Sequence, residues 1–205
     1  MSIVLLFGDD QFAIHEKLDF WRTKFIEKYG DDMNLDEIEG KTPPNQIIES
    51  AEALPFLGDK RLIIVKGFLE QQDSDSQKKM AELLERVPDS TTLVFLELAT
   101  PDKRKTLYKK LQKEARFEEC KPLIGNDLTE WIVSRARNLN SEIDWATATY
   151  LGSLITRDSW RLKNEIEKLS LHAKGQKITR EIVDKMVSST GNTTVFKLTD
   201  ALGAR

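Results

Sequence analysis

The chain opens with the stretch SIVLLFG at residues 2–8, followed by DDQF at residues 9–12. An apolar run that ends at a glycine in this way is typical of the buried first strand of an α/β domain that binds a nucleotide. A phosphate-binding loop after that strand needs the pattern GxxxxGKS or GxxxxGKT, in which backbone N–H groups and a lysine hold the phosphates. This chain has Asp9 and Asp10 there and no lysine, so the turn would repel a triphosphate. The opening therefore predicts a nucleotide-binding scaffold without its nucleotide site.

Short apolar runs alternate with helical periodicity through the first 122 residues. The runs predict five strands, at residues 3–7, 35–39, 61–65, 91–98 and 116–120. Apolar residues that recur every three or four positions predict helices around residues 14–25, 47–54, 80–87 and 103–114. Five strands with helices between them imply a parallel sheet that is covered on both faces. The predicted fold class is therefore α/β, with a first domain over residues 1–122.

The pattern changes after Pro122, because no strand-like run follows it. Helical stripes continue at residues 128–139, 145–155, 162–173 and from Thr179 onward. Residues 123–190 are therefore predicted to form a second, small, all-helical domain. Gly191 interrupts the pattern, and residues 195–202 predict the opening of a further helix. We interpret residues 191–205 as the start of a linker to another domain.

Charge and composition exclude several classes of function. Residues 1–122 contain 19 Lys and Arg against 24 Asp and Glu, and residues 123–205 contain 12 against 10. Nucleic-acid affinity depends on clustered positive charge, so neither part is expected to bind DNA by itself. The single cysteine, Cys120, lies far in sequence from both histidines, and no metal or cofactor is predicted. The apolar run at residues 3–7 is too short for a signal peptide or a membrane span, so a cytoplasmic protein without a membrane partner is expected.

Five segments, in this order and spacing, carry a resemblance to a known family. They are LLFGDDQF at 5–12, ALPFLGDKRL at 53–62, DKRKTLYK at 102–109, NEIEKL at 164–169 and VFKLTDAL at 195–202. Each segment alone is weakly specific, but together they resemble the delta subunits of the bacterial DNA polymerase III clamp loader. The resemblance covers the whole chain.

The resemblance implies an AAA+-like (RecA-type) domain without a working nucleotide site, a helical lid domain and a C-terminal collar that this chain lacks. It also implies a function in DNA replication, namely to bind the ring-shaped sliding clamp (the beta subunit) and open it for loading onto primed DNA. The implied partners are the clamp, the other clamp-loader subunits and, within the assembled loader only, primed DNA. ATP hydrolysis would belong to sister subunits, and the chain would be a component of the DNA polymerase III holoenzyme without catalysis of its own.

Two alternatives are weighed against this interpretation. An AAA+ ATPase with an atypical phosphate loop would still need an acidic pair at the end of its third strand, where this chain has Lys66 and Gly67. A phosphoacceptor receiver domain also begins with a strand that ends in an acidic pair, but it needs an aspartate where Lys66 stands. A nucleotide-binding titration separates the ATPase from a subunit that only binds partners.

The resemblance places clamp binding on Leu54, Pro55, Phe56 and Leu57. Proline disfavours helical geometry at the residue before it, so the preceding helix should stop near Leu54 and present the next side chains on a rigid turn. Three large apolar side chains could give on the order of 5–9 kcal/mol on burial before association costs. Micromolar affinity corresponds to about 8 kcal/mol, so a short apolar turn could anchor a partner.

Periodicity alone favours a different interpretation, in which these side chains belong to the core. Leu54 continues the stripe of Ile47 and Ala51 and is expected to be partly buried, whereas Phe56 and Leu57 fall beyond the stripe. The basic run from Lys103 to Lys113 is interpreted as a solvated helix face, with contact to a sister subunit or to DNA as the alternative.

Overall fold

A computed structural model of the chain describes residues 2–30, 32–155 and 158–187. The chain divides into two units, Met1–Lys121 and Pro122–Arg205, and each unit has its own buried apolar core. The expected linker at residues 191–205, with its helix at 195–202, lies outside the described residues.

The first unit is built on a five-stranded parallel sheet in the order β2-β3-β4-β1-β5. Its strands are β1 (Ser2–Gly8), β2 (Leu35–Glu39), β3 (Arg61–Lys66), β4 (Thr91–Glu97) and β5 (Arg116–Cys120). All five lie where the apolar runs predict them, to within a residue or two. The predicted α/β class with a parallel sheet is thus confirmed.

Alternate residues of the central strands belong to two separate apolar clusters. Leu5, Phe7 and Phe95 are buried in one cluster, and Leu6 and Val94 are buried in the other. Successive side chains of a strand point to opposite faces, so both faces of the sheet are covered. This double burial explains why the strands read as continuous apolar runs.

Helices connect consecutive strands and cover the two faces. They are α1 (Gln11–Tyr29), α2 (Pro44–Glu52), α3 (Phe68–Gln71), α4 (Ser74–Leu83) with a 3₁₀ turn at Leu84–Arg86, and α5 (Thr106–Glu114). Buried aliphatic residues of α2, α4 and α5 belong to one cluster, whereas Ile14 and Leu18 of α1 belong to the other. The helical stripes predict α1, α2, α4 and α5, but α3 has only four residues and is too short to show periodicity.

Helix α5 begins three residues later than its basic run suggests. The Asp102 carboxylate accepts a hydrogen bond from the backbone N–H of Arg104 at 3.0 Å, and the N–H of Lys105 donates to the Asp102 carbonyl at 3.1 Å. These local bonds form a turn that competes with the helix. The expected helix over residues 103–114 is therefore shortened to Thr106–Glu114.

The second unit is mainly helical. Its helices are α6 (Gly125–Asn138), α7 (Trp145–Leu154), α8 (Ser159–Ala173) and α9 (Arg180–Met186). Their apolar stripes meet in one core that includes Ile132, Leu151 and Ile166. The structure adds a short parallel pair, β6 (Glu142–Ile143) with β7 (Lys177–Ile178), whose two-residue strands show no sequence alternation. Within the described ranges, no helix is both long enough and apolar enough to cross a membrane.

Gly8 fixes the place where β1 leaves the sheet. Its φ is +142°, and it pairs with Cys120 of β5. A Cβ atom at this position would lie 2.1 Å from the Cys120 carbonyl oxygen. Only glycine fits so close an approach to a neighbouring backbone.

We therefore expect Gly8→Ala to lower the free energy of unfolding by about 3 kcal/mol or more, because the β1–β5 pairing must open to admit the methyl group. Gly30→Ala is the matched control, since Gly30 also has a positive φ (+90°) but no heavy atom lies within 4 Å of its Cβ position. The control should lose only about 1–2 kcal/mol, the usual penalty of the left-handed conformation. Equal losses in urea denaturation would contradict this account.

Candidate functional site

Residues 54–57, which we term the apolar turn, follow the end of α2 and lead to β3. Helix α2 ends at Glu52, and Ala53 has an extended backbone with φ −61° and ψ 136°. Pro55 disfavours helical geometry at Leu54, in agreement with a helix that ends before the proline. Parallel strands begin at one edge of their sheet, so the apolar turn lies at the amino-terminal edge, where β3 starts.

The base of the turn is tied to its surroundings by one buried hydrogen bond and one exposed ion pair. The Thr91 hydroxyl donates to the Ala51 carbonyl at 2.8 Å, which satisfies a carbonyl in the last turn of α2. Arg86 forms two hydrogen bonds to the Glu52 carboxylate, at 2.8 and 2.7 Å. These contacts hold the last turn of α2 against β4 and the 3₁₀ turn.

Three large apolar side chains of the turn are exposed. Leu54 is 86% exposed, Phe56 56% and Leu57 90%, while Pro55 is half-buried. The expectation that Leu54 is partly buried is wrong. The stripe of Ile47 and Ala51 does not reach it, because α2 ends two residues before Leu54.

Leu57 also adopts an unfavourable backbone conformation, with φ +47°. A non-glycine residue in the left-handed region costs roughly 1–2 kcal/mol. Its side chain is almost fully exposed, so local burial does not offset this cost. Strain of this kind is concentrated at functional sites, where the surroundings hold the residue in place.

A buried asparagine holds the turn at Phe56. The Asn34 side-chain amide donates to the Phe56 carbonyl at 2.8 Å and accepts from the Phe56 N–H at 2.6 Å. Asn34 is 3% exposed and lies directly before β2, the strand next to β3. Sequence reasoning missed this residue because it lies 22 positions from Phe56. The order of the parallel strands, which places the starts of β2 and β3 side by side, is the signal that could have found it.

Three residues of the basic run near α5 have polar partners within the unit. Arg104 binds Asp102, Lys105 donates to the Ser74 hydroxyl at 2.6 Å, and Lys110 donates to Glu85 at 2.9 Å. The Arg104 guanidinium lowers the pKa of the Asp102 carboxyl, and the hydrogen bond from Lys110 lowers the pKa of Glu85. The positive charges of this run are therefore partly compensated locally.

The opposite, carboxyl-terminal edge of the sheet carries the β1–α1 connection, where nucleotide-binding folds have their phosphate loop. Only two residues, Asp9 and Asp10, separate β1 from α1. The Asp10 carboxylate accepts the Ala13 N–H at 3.0 Å and so caps α1, and the Asp10 N–H donates to the Cys120 carbonyl at 3.1 Å. A capping carboxylate thus occupies the helix terminus at which phosphates bind in nucleotide-binding folds.

The ends of β3 and β4 at this edge carry Lys66 and Glu97. Lys66 forms an ion pair with Glu37. Glu97 is 2% exposed and accepts the Leu69 N–H at 2.7 Å, which caps the short helix α3. Burial raises the pKa of Glu97 to about 7, although backbone hydrogen bonds from α3 partly oppose the shift. Among the described residues, no group of three His, Cys, Asp or Glu side chains could hold a metal ion.

A family model described as the DNA polymerase III delta subunit matches residues 4–121, which is more than half of the chain.

The chain belongs to the DNA polymerase III delta subunit family.

Known delta subunits are similar to this chain in both sequence and fold. The chain is 26% identical to DNA polymerase III subunit delta of Bacillus subtilis over 206 residues, which covers 96% of this chain and 59% of the relative. The solved Bacillus subtilis DNA clamp loader delta protein is 25% identical with a TM-score of 0.69, over 98% of this chain and 62% of that structure. The chain thus spans about three-fifths of the length of these delta relatives.

A more distant structure shares the fold alone. The Thermotoga maritima RuvB Holliday junction branch migration motor matches with a TM-score of 0.53 at 15% identity, over 91% of this chain and 61% of that structure. These likenesses confirm the predicted AAA+-like parallel sheet followed by a helical region. They agree with the family resemblance carried by the five sequence segments.

Glu97 makes a contribution to stability that is lost as the pH rises, whereas most carboxyls make one that is lost as the pH falls. Its folded pKa, about 7, lies above its ordinary value of 4.5, so folding favours the protonated form. The contribution is complete below pH 4.5 and is lost as the pH rises through 7. Between pH 5 and pH 8, we expect the free energy of unfolding of Glu97→Gln to fall by about 2 kcal/mol less than that of the wild type.

The glutamine keeps an oxygen that can accept the Leu69 N–H, so the variant should remain folded. Glu82→Gln is the matched control, because it makes the same substitution on the exposed face of α4. Parallel pH profiles of the wild type and Glu97→Gln in denaturant titrations would refute the assignment.

Proposed function

We propose that this chain is a clamp-loader subunit that binds the sliding clamp, the beta subunit, through the apolar turn and opens its ring for loading onto primed DNA. The observation that carries the proposal is the exposure of Leu54, Phe56 and Leu57 on one turn of a delta-family protein. Single exposed apolar residues are common, but adjacent ones on a fixed turn indicate a binding surface. The relative whose description names a DNA clamp loader supports the same role.

The geometry of the turn suits a wedge between protein surfaces. Pro55 and the hydrogen bonds to Phe56 limit its conformations, so little entropy is lost when a partner binds. The exposed side chains can enter an apolar pocket that is accessible in one state of the clamp. A partner that binds the open ring more tightly than the closed ring shifts the population toward the open ring. No chemical step by this chain is required.

We also propose that the chain does not hydrolyse ATP. The β1–α1 connection of two residues leaves no loop around a triphosphate, and Asp10 caps the helix that would face it. At the end of β3, the cation Lys66 is paired with Glu37 where a metal-dependent ATPase would place acidic residues. These observations disfavour the alternative of an AAA+ ATPase with an atypical phosphate loop. ATP hydrolysis is assigned to sister subunits, and no cofactor is assigned to this chain.

The proposed partners are the clamp, the other clamp-loader subunits and primed DNA within the assembled loader. The net charge of −3 and the local contacts of Lys105 and Lys110 give this chain no strong electrostatic affinity for DNA by itself. The role places the chain with the DNA polymerase III holoenzyme in the cytoplasm.

We expect Phe56→Ala to weaken clamp affinity by about 30-fold or more, because a large anchor in an interface typically contributes at least about 2 kcal/mol. Leu57→Ala should weaken it by about fivefold to tenfold, for the loss of a smaller side chain. Surface plasmon resonance against the beta subunit measures both effects. Since these side chains are exposed, the free energy of unfolding should change by less than about 0.5 kcal/mol.

The chain provides matched controls for these variants. Phe20 is 58% exposed and Leu171 is 79% exposed, and both lie outside the apolar turn. Phe20→Ala and Leu171→Ala should bind the clamp like the wild type. The proposed site would be disproved if folded Phe56→Ala and Leu57→Ala chains kept wild-type affinity.

A nucleotide titration tests the second part of the proposal. Because Asp10 caps α1 and no lysine is present in the turn, we expect no ATP binding at millimolar ligand with Mg²⁺. Isothermal titration calorimetry on the full chain measures it. Saturable ATP binding that is lost in a variant of the β1–α1 connection would favour the ATPase alternative instead.

A further inference from the structure

The geometry points to Asn34 as the positioning residue that sets the conformation of the apolar turn and thereby the rate at which the chain captures the clamp. This inference rests on the proposed function of the turn. It adds a polar residue from another loop, directly before β2, that lies outside the apolar turn.

Asn34 is itself held firmly to the sheet. Its carbonyl accepts the Leu62 N–H of β3 at 2.8 Å, and its side chain is buried. The amide group therefore projects from a fixed backbone position at the edge of the sheet. A short polar side chain on a rigid base is well suited to hold a neighbouring loop.

The side-chain amide of Asn34 bonds both polar groups of one residue in the turn. It donates to the Phe56 carbonyl at 2.8 Å and accepts the Phe56 N–H at 2.6 Å. A neighbouring strand makes the same pair of bonds to a residue in an antiparallel ladder. Because donor and acceptor are both used, the orientation of the amide is fixed, and so is the Phe56 backbone.

We term the two hydrogen bonds between the Asn34 side chain and the Phe56 backbone the bracket. The neighbouring residues fit closely around it. A Cβ atom at Gly58 would lie 3.3 Å from the Asn34 amide nitrogen, so a larger residue would press on the bracket. Leu57, between Phe56 and Gly58, has its φ at +47°. The bracket thus lies next to the strained residue and offsets the cost of holding Leu57 in an exposed position.

Without the bracket, the chain would still have the apolar side chains, but the backbone of the turn would no longer be held in one conformation. The turn would then occupy the binding conformation for only part of the time. The apparent affinity is proportional to the fraction of molecules whose turn is in the binding conformation. The loss appears in the association rate when the turn must be ordered before binding. Removal of a contact side chain, in contrast, acts mainly on the dissociation rate.

The test measures clamp-binding kinetics of the full chain for Asn34→Ala and Asn34→Asp. We expect the association rate constant to fall by about tenfold in both variants, with a change of less than about threefold in the dissociation rate constant. Phe56→Ala should show the opposite split. Asn45→Ala, on the exposed surface of α2, is the matched asparagine control and should match the wild type.

Asn34→Asp separates loss of the hydrogen-bond donor from loss of side-chain volume. The aspartate has nearly the same size and can still accept the Phe56 N–H, but it has no donor for the Phe56 carbonyl. A second measurement needs no clamp: amide hydrogen exchange at Phe56, followed by NMR, should accelerate by at least about tenfold in Asn34→Ala.

The outcomes separate this inference from the function it rests on. Unchanged clamp binding by Phe56→Ala would remove the proposed site, whatever Asn34 does. Reduced binding by Phe56→Ala together with wild-type association rates for both Asn34 variants would overturn the role of Asn34 alone. Unchanged hydrogen exchange at Phe56 in Asn34→Ala would overturn it as well.

Discussion

The burial of β1 on both faces of a parallel sheet is the constraint on which the first unit depends. Residues 3–7 are all buried, and their side chains alternate between two apolar clusters. A strand of this kind must be central and must be covered by helices on each side, which requires crossover connections between consecutive strands. The connections then fall at two edges of the sheet, with the apolar turn at one edge and the β1–α1 connection at the other.

The two edges have different chemistry. At the carboxyl-terminal edge, where nucleotides bind in related folds, Asp10 caps α1 and Glu97 caps α3, so side chains of the protein itself satisfy the backbone donors there. At the amino-terminal edge, the chain exposes apolar side chains on a turn that is fixed by Asn34. About five residues of extended strand, roughly 17 Å, separate the edges. The proposed absence of nucleotide binding at one edge is therefore compatible with the proposed clamp-binding surface at the other.

The sequence predicts the parallel sheet well because strands that are buried on both faces leave a continuous apolar signal that needs no knowledge of partners. It predicts the apolar turn through Pro55 and the family resemblance, but it misplaces Leu54, whose apparent stripe extends beyond the last helical residue, Glu52. Asn34 and Glu97 were missed. Their roles depend on hydrogen bonds to residues 22 and 28 positions away, and such pairings become visible only when the strand order is known.

The attachment of α2 has a mechanical consequence for the turn it carries. The Thr91 hydroxyl, on a central strand, donates to the Ala51 carbonyl, and Arg86 forms two hydrogen bonds to Glu52. Asn34, directly before β2, forms hydrogen bonds to the Phe56 backbone. A force applied at the tip is therefore transmitted to the sheet instead of being absorbed by bending of the loop. The apolar turn is therefore expected to move as a rigid part of the first unit, so that a rotation of the unit displaces the exposed side chains by the same rotation.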